Sequence, residues 1–109
     1  MTAEYVEISR RVTTTHWIAL SLAEPVILEI QHGRPGQKMA ARKVLLAFSR
    51  ENTKPWTWRA EVYGPRIRKD GGEGVGVGGT NSYGGRYSAD PPEWLLSIVE
   101  SEHPDAVTR

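Results

Sequence analysis

Between Trp56 and Tyr63 the chain alternates without a fault. Trp56, Trp58, Ala60 and Val62 fall on one side, and Thr57, Arg59, Glu61 and Tyr63 on the other. A side-chain period of two belongs to extended chain, so residues 56–63 read as a strand with one large apolar face. Residues 42–49 repeat the pattern with Val44, Leu46 and Phe48 on one side. The polar connector Arg50–Pro55 has the length of a hairpin loop. A lone hairpin is marginal in water. This pair therefore needs further strands beside it and a cover over its apolar face.

Two more segments supply strands. Residues 5–12 alternate through Val6 and Ile8, with Val12 on the same face, and residues 26–32 place Val26, Leu28 and Ile30 together. Residues 13–22 are β-branched and aromatic at Thr13, Thr14, Thr15, Trp17 and Ile18, which favours extended structure. They extend or add a strand, with His16, Ile18, Leu20 and Leu22 on one face. A helix from about 14 to 23 is the competing reading, because Trp17, Leu20 and Ala23 also fit helical spacing. Ala23-Glu24-Pro25 reads as a break between strands.

The cover comes from the C-terminal third. Leu95, Ile98 and Val99 form an apolar stripe at helical spacing over residues 91–103, with Trp94 beside it. Asp90 is the expected N-cap, Pro91 and Pro92 fit the first turn, and His103-Pro104 stops the helix. The expected fold is α+β. It is a small, mostly antiparallel sheet of about four strands (5–12, 26–32, 42–49 and 56–63) packed by one C-terminal helix. The 109 residues read as one domain, 1–109, with a frayed tail at 104–109. Eight of the eleven glycines fall between Asp70 and Gly85. Fixing glycine costs more backbone entropy than fixing any other residue, so residues 70–88 read as a mobile Gly-rich loop.

Composition then limits the chemistry. The chain has no cysteine, which excludes a disulfide framework, a thiolate nucleophile and any Cys-based metal site. The start of the chain is not a secretory signal, and no apolar run reaches the ~18 residues of a membrane span. A soluble, cytoplasmic protein with no membrane partner is expected. Gly74-Val75-Gly76-Val77-Gly78-Gly79 matches the letters of a dinucleotide fingerprint. It lacks the buried strand before it and the helix after it that would hold a pyrophosphate, so it reads as loop. His16, His32 and His103 are scattered. Glu29 and His32 oppose one another on a strand, so no metal site is expected, nor any cofactor. No catalytic motif appears, and the chain reads as a non-enzyme.

Charge is the most informative remaining feature. Residues 33–69 carry ten Lys and Arg against Glu51 and Glu61, net +8. Residues 1–32 carry two Arg against four Glu, and residues 70–109 two Arg against seven Asp and Glu. A near-neutral total hides a basic middle. The hairpin 42–69 is therefore the candidate nucleic-acid-binding element, through Arg42, Lys43, Arg59, Tyr63, Arg66, Arg68 and Lys69. Basic side chains would track phosphates while Tyr63 stacks on a base. The second reading is a small adaptor or assembly protein. Its basic middle and acidic end would pair with a protein partner or with a second copy of the chain.

Overall fold

The computed structural model describes residues 3–107, apart from the side chains of 75–77. Its strands are β1 (Tyr5–Val12), β2 (Thr15–Glu29), β3 (Lys38–Ser49), β4 (Thr57–Ile67) and β5 (Glu73–Gly84), followed by helix α1 (Glu93–Glu102). They form one five-stranded sheet in sequence order, and every neighbouring pair is antiparallel. The α+β class is as expected, but the sheet is larger than four strands.

The alternation in β4 sets the two faces. Ala60 and Val62 are buried and Trp58 packs against the core, while Thr57, Arg59 and Glu61 are exposed. In the cross-strand register Val62 lies opposite Val44, Ala60 opposite Leu46, and Trp58 opposite Phe48. One strand further, Leu46 faces Ile18 and Val44 faces Leu20. Helix α1 covers this inner face with Trp94, Leu95, Ile98 and Val99, all buried. Burying each such side chain contributes on the order of 1.5–3 kcal/mol. The helix thus holds the apolar face out of water and leaves the opposite face bare.

Four local expectations are corrected. Residues 13–22 and 26–32 are not two elements, because β2 runs unbroken from Thr15 to Glu29. The helical alternative for 14–23 is excluded with them. The chain passes Ala23-Glu24-Pro25 by a register shift against β3 between Ser21 and Val26. Pro25 lies beyond the start of β1, whose first residue, Tyr5, sits opposite Leu22. Proline is tolerated at such an unpaired edge or bulge.

The second correction concerns residues 70–88. Glu73–Gly84 is strand β5, not loop, and pairs with β4 from Ile67 to Arg59. The ladder with β4 offsets the entropy that fixing glycine costs. Close packing also explains the composition. A Cβ on Gly79 would stand 2.8 Å from Ile30 Cδ1 and 3.3 Å from the Met39 sulfur.

Third, the helix begins at Glu93 with Pro92 as N-cap, and no side chain caps it. Pro91 precedes Pro92, which disfavours helical geometry at the position after Asp90 where the helix would have to begin. Asp90 therefore cannot act as the N-cap. Fourth, Pro104–Ala106 form a 3-10 turn in which Ala106 is buried, where a frayed tail was expected from 104.

In β1, a shift between Glu7 and Ser9 makes Ile8 an extra residue. The expected common face of Val6, Ile8 and Val12 does not form: Val6 lies opposite Ser21 on the outer face, and Val12 opposite His16 on the inner one. The three side chains are 65%, 54% and 61% exposed.

The far end of the sheet curls back on itself. Asn81, 1% exposed, donates to the Glu29 carbonyl at 2.8 Å and to the Tyr83 hydroxyl at 3.2 Å. Its Oδ1 accepts from the Gln31 N–H at 2.8 Å. The Gln31 side chain in turn donates to the Ser82 carbonyl and accepts from the Ser82 N–H. One amide side chain thus occupies a stretch of the open edge of β5 and ties β2 to it.

Candidate nucleic-acid interface

With α1 on the inner face, the other face of the sheet is available to a ligand. The register arranges its side chains in rows that cross all five strands. One row runs Arg11, Trp17, Ala47, Arg59, Gly84, and the next runs Ser9, Ala19, Leu45, Glu61, Ser82. The row after that runs Val6, Ser21, Lys43, Tyr63, Thr80.

Small residues in the middle of these rows shape the surface. Trp17 on β2 and Arg59 on β4 both flank Ala47 on β3. The methyl group of Ala47 leaves room above it, and the Arg59 guanidinium lies 5.4 Å from the centroid of the Trp17 ring. Beyond β5, the segment after Gly84 brings Arg86 and Tyr87 to the same face, with the Arg86 guanidinium 5.6 Å from the Tyr87 ring. Two open depressions share Arg59 and Tyr87. One, of about 190 Å³, also has Trp17, Leu45, Ala47 and Glu61 in its lining. The other, of about 380 Å³, adds Ser49, Thr57 and Arg86.

The face is positively charged. Arg11, Lys43, Arg59 and Arg86 bear on it, with the carboxylate Glu61 among them. Among the described residues, none of these four cations forms an ion pair. Trp17, Tyr63 and Tyr87 provide aromatic surface between them. Planar rings interleaved with unpaired cations are what a chain of phosphates and stacking bases needs. By contrast, the 570 Å³ notch at the start of β1 is lined by Glu4 and Glu24 and has no cation, which suits no polyanion.

The structure divides the seven residues expected from sequence. Lys43 and Tyr63 are direct cross-strand partners, and Arg59 lies on the same face two rows away. Arg42 points elsewhere, into an ion pair with Glu73. Arg68 pairs with Asp70 at 3.4 Å across the turn between β4 and β5. Arg66 donates from Nε to the Gly78 carbonyl at 3.0 Å. Lys69 is exposed in the same turn as Arg68. No single basic stripe runs along 42–69.

Arg11, Trp17, Arg86 and Tyr87 were not expected from sequence. Trp17 had a signal, because placing His16, Ile18 and Leu20 in the core sends Trp17 to the other face. Arg11 needed the β1–β2 register. Arg86 and Tyr87 lie outside any periodic element and gave none.

Other clusters are structural. His103, Trp56, His16 and Phe48 pack as one aromatic group, with the Trp56 and His103 ring centroids 4.5 Å apart, joining the end of α1 to the sheet. Among the described residues, no group of three His, Asp or Glu side chains is placed to hold a metal ion. No helix there is long and apolar enough to cross a membrane.

Comparison with protein-family models, with curated proteins and with solved structures gives no match. The function is therefore argued from the geometry alone.

Proposed function

We propose that this protein is a non-catalytic binding module that takes single-stranded nucleic acid on the bare face of its sheet. The observation that carries the reading is the Arg59–Trp17 stack over Ala47, flanked by Lys43, Arg11 and Arg86 and by the rings of Tyr63 and Tyr87. Aromatic side chains on an open sheet stack with unpaired bases, and cations between them meet the phosphates. A duplex hides its base faces and offers this surface only phosphates. Reading a groove with the tip of β4 and β5 would need Arg66 and Arg68 free, and both have partners within the chain. The binding residues in this reading are Lys43, Arg59 and Tyr63 from the basic middle, joined by Arg11, Trp17, Arg86 and Tyr87.

The test is fluorescence anisotropy with labelled 12-nucleotide DNA and RNA oligomers and the matching duplexes at low salt. Saturable binding of single strands, tighter than of duplex, supports the proposal. Absence of binding to any of the four at about 50 mM salt overturns it.

A further inference from the structure

We propose that the open edge of β1 pairs antiparallel with β1 of a second copy of this chain, joining two sheets into one of ten strands. The inference rests on which backbone groups β1 leaves unbonded. Ala23 donates to the Glu4 carbonyl at 2.8 Å. Glu4 and Val6 therefore turn their backbone groups toward β2, and Tyr5 and Glu7 turn theirs to the open edge, as antiparallel ladders alternate. The extra residue at Ile8 shifts the alternation by one. Past it, Arg10 and Val12 face the open edge.

Those four positions are self-complementary. A two-fold axis between Ile8 and Ser9 places Tyr5 opposite Val12 of the other copy and Glu7 opposite Arg10. It is the register that matches all four open-edge residues with one another. It sets opposite charges directly across the new ladder twice, a favourable arrangement for cross-strand pairs. Shifting the axis onto Glu7 or onto Arg10 would set like charges face to face. Within one copy Arg10 Nε already donates to Glu7 Oε1 at 2.8 Å, and this hydrogen bond raises the Arg10 pKa above its ordinary value. Arg10 Nη2 also reaches Glu102 Oε1 on α1 at 3.3 Å, so two such pairs side by side alternate Glu7 and Arg10 with a further carboxylate beside each Arg10.

Edge strands are ordinarily blunted by proline, by shortness, by charged side chains or by a bulge, and of these β1 carries charges and the bulge at Ile8. β1 has eight residues, no proline and charges of both signs. Among the described residues, three of the five large apolar side chains that are exposed, Val6, Ile8 and Val12, lie on it. In the isologous pairing Val12 lies across from Tyr5 of the other copy, Val6 from Arg11 and Ile8 from Ser9.

Sedimentation equilibrium from about 5 to 500 μM tests the proposal, with hydrogen exchange of the wild-type amides as a second reading. The expected result is a reversible dimer. Glu7→Arg makes it monomeric, and the exchanged pair Glu7→Arg with Arg10→Glu restores it at least tenfold toward the wild-type association constant. Glu7→Pro removes one open-edge N–H and abolishes it. In the wild type, exchange at Tyr5, Glu7, Arg10 and Val12 slows with concentration while that of Ser9 and Arg11 does not. A wild-type monomer at 500 μM overturns the proposal. So does a dimer that survives Glu7→Arg, or exchange at the four open-edge amides that ignores concentration, a reading that stands even where a variant fails to fold.

Discussion

The Arg59 guanidinium reaches the Trp17 ring, 5.4 Å from its centroid, although their strands β4 and β2 are separated by β3. The contact exists because the residue between them is Ala47. It presents an aromatic plane and a delocalised cation together, on a face that no helix covers. At an exposed site such a pair contributes only ~0.5–1 kcal/mol to the fold, so its removal leaves the protein folded. Stacking a base is worth ~1–3 kcal/mol. Trp17→Ala and Arg59→Ala are each expected to weaken oligonucleotide binding by about 5- to 100-fold while shifting stability by less than about 1 kcal/mol. The double variant should lose less than the two losses combined, since the side chains act as a unit. Anisotropy and urea unfolding on the same samples check both statements.

Arg42 and Arg68 provide the contrast. Each is already matched with a carboxylate, Glu73 and Asp70 respectively. Arg42→Ala and Arg68→Ala should leave the dissociation constant within about threefold of wild type. A loss as large as that of Arg59→Ala would place the interface along the 42–69 hairpin and away from the sheet face.

Salt dependence counts the contacts. Four cations face the ligand, and each phosphate neutralised on a single strand contributes about 0.7 to the slope of log K against log salt. With Glu61 opposing them, a slope of about −2 to −3 is expected between 50 and 300 mM salt. A slope near zero would remove the electrostatic part of the account. One steeper than about −5 would require cations that the sheet face does not carry.

Asn81 tests the curl that shapes the sheet. Asn81→Ala leaves the Gln31 N–H and the Glu29 carbonyl without their partners. An unsatisfied buried polar group costs ~1–3 kcal/mol, so a loss of about 2–4 kcal/mol is expected from the shift in denaturant midpoint. A loss below about 1 kcal/mol would show that the clamp contributes little.

Gly64 tests the close approach of β4 to β3. A Cβ there would run into the Ala40 carbonyl oxygen, which is backbone and cannot swing aside. Gly64→Ala should cost several kcal/mol, while Gly36→Ala, at a position with φ +80° but open space around it, should cost only about 1 kcal/mol. Thermal unfolding of the two variants separates crowding from backbone strain.

The inner face was legible in the sequence because period-two burial leaves a direct trace. Val44, Leu46, Phe48, Ala60 and Val62 fall where their spacing puts them, and Leu95, Ile98 and Val99 cover them. The strand through Pro25 was not legible, since whether a proline breaks a strand depends on whether a neighbour needs its missing N–H. β5 was hidden for a related reason. Its glycines are costly to order in isolation, and only the ladder with β4 and the crowding at Ile30 show why they are used. Of the candidate site, Lys43, Arg59 and Tyr63 followed from alternation. Which arginines are spent on carboxylates could not be read from composition, because Arg42 and Glu73 are 31 residues apart. Net charge along the chain therefore does not distinguish arginines already matched within the chain, such as Arg42 and Arg68, from unmatched ones such as Arg11 and Arg86.

The most direct test of the sheet-face account is the indole N–H spectrum during titration with a single-stranded oligonucleotide. The protein has four tryptophans. Trp94 is buried on the sheet-facing side of α1 and Trp56 and Trp58 pack on the inner face, while Trp17 stands on the outer one. The account predicts that the Trp17 indole signal and the Arg59 Nε–H signal move together and saturate, with the other three indoles nearly still. Saturable binding with Trp17 unmoved, or with Trp56 moving in its place, would contradict it.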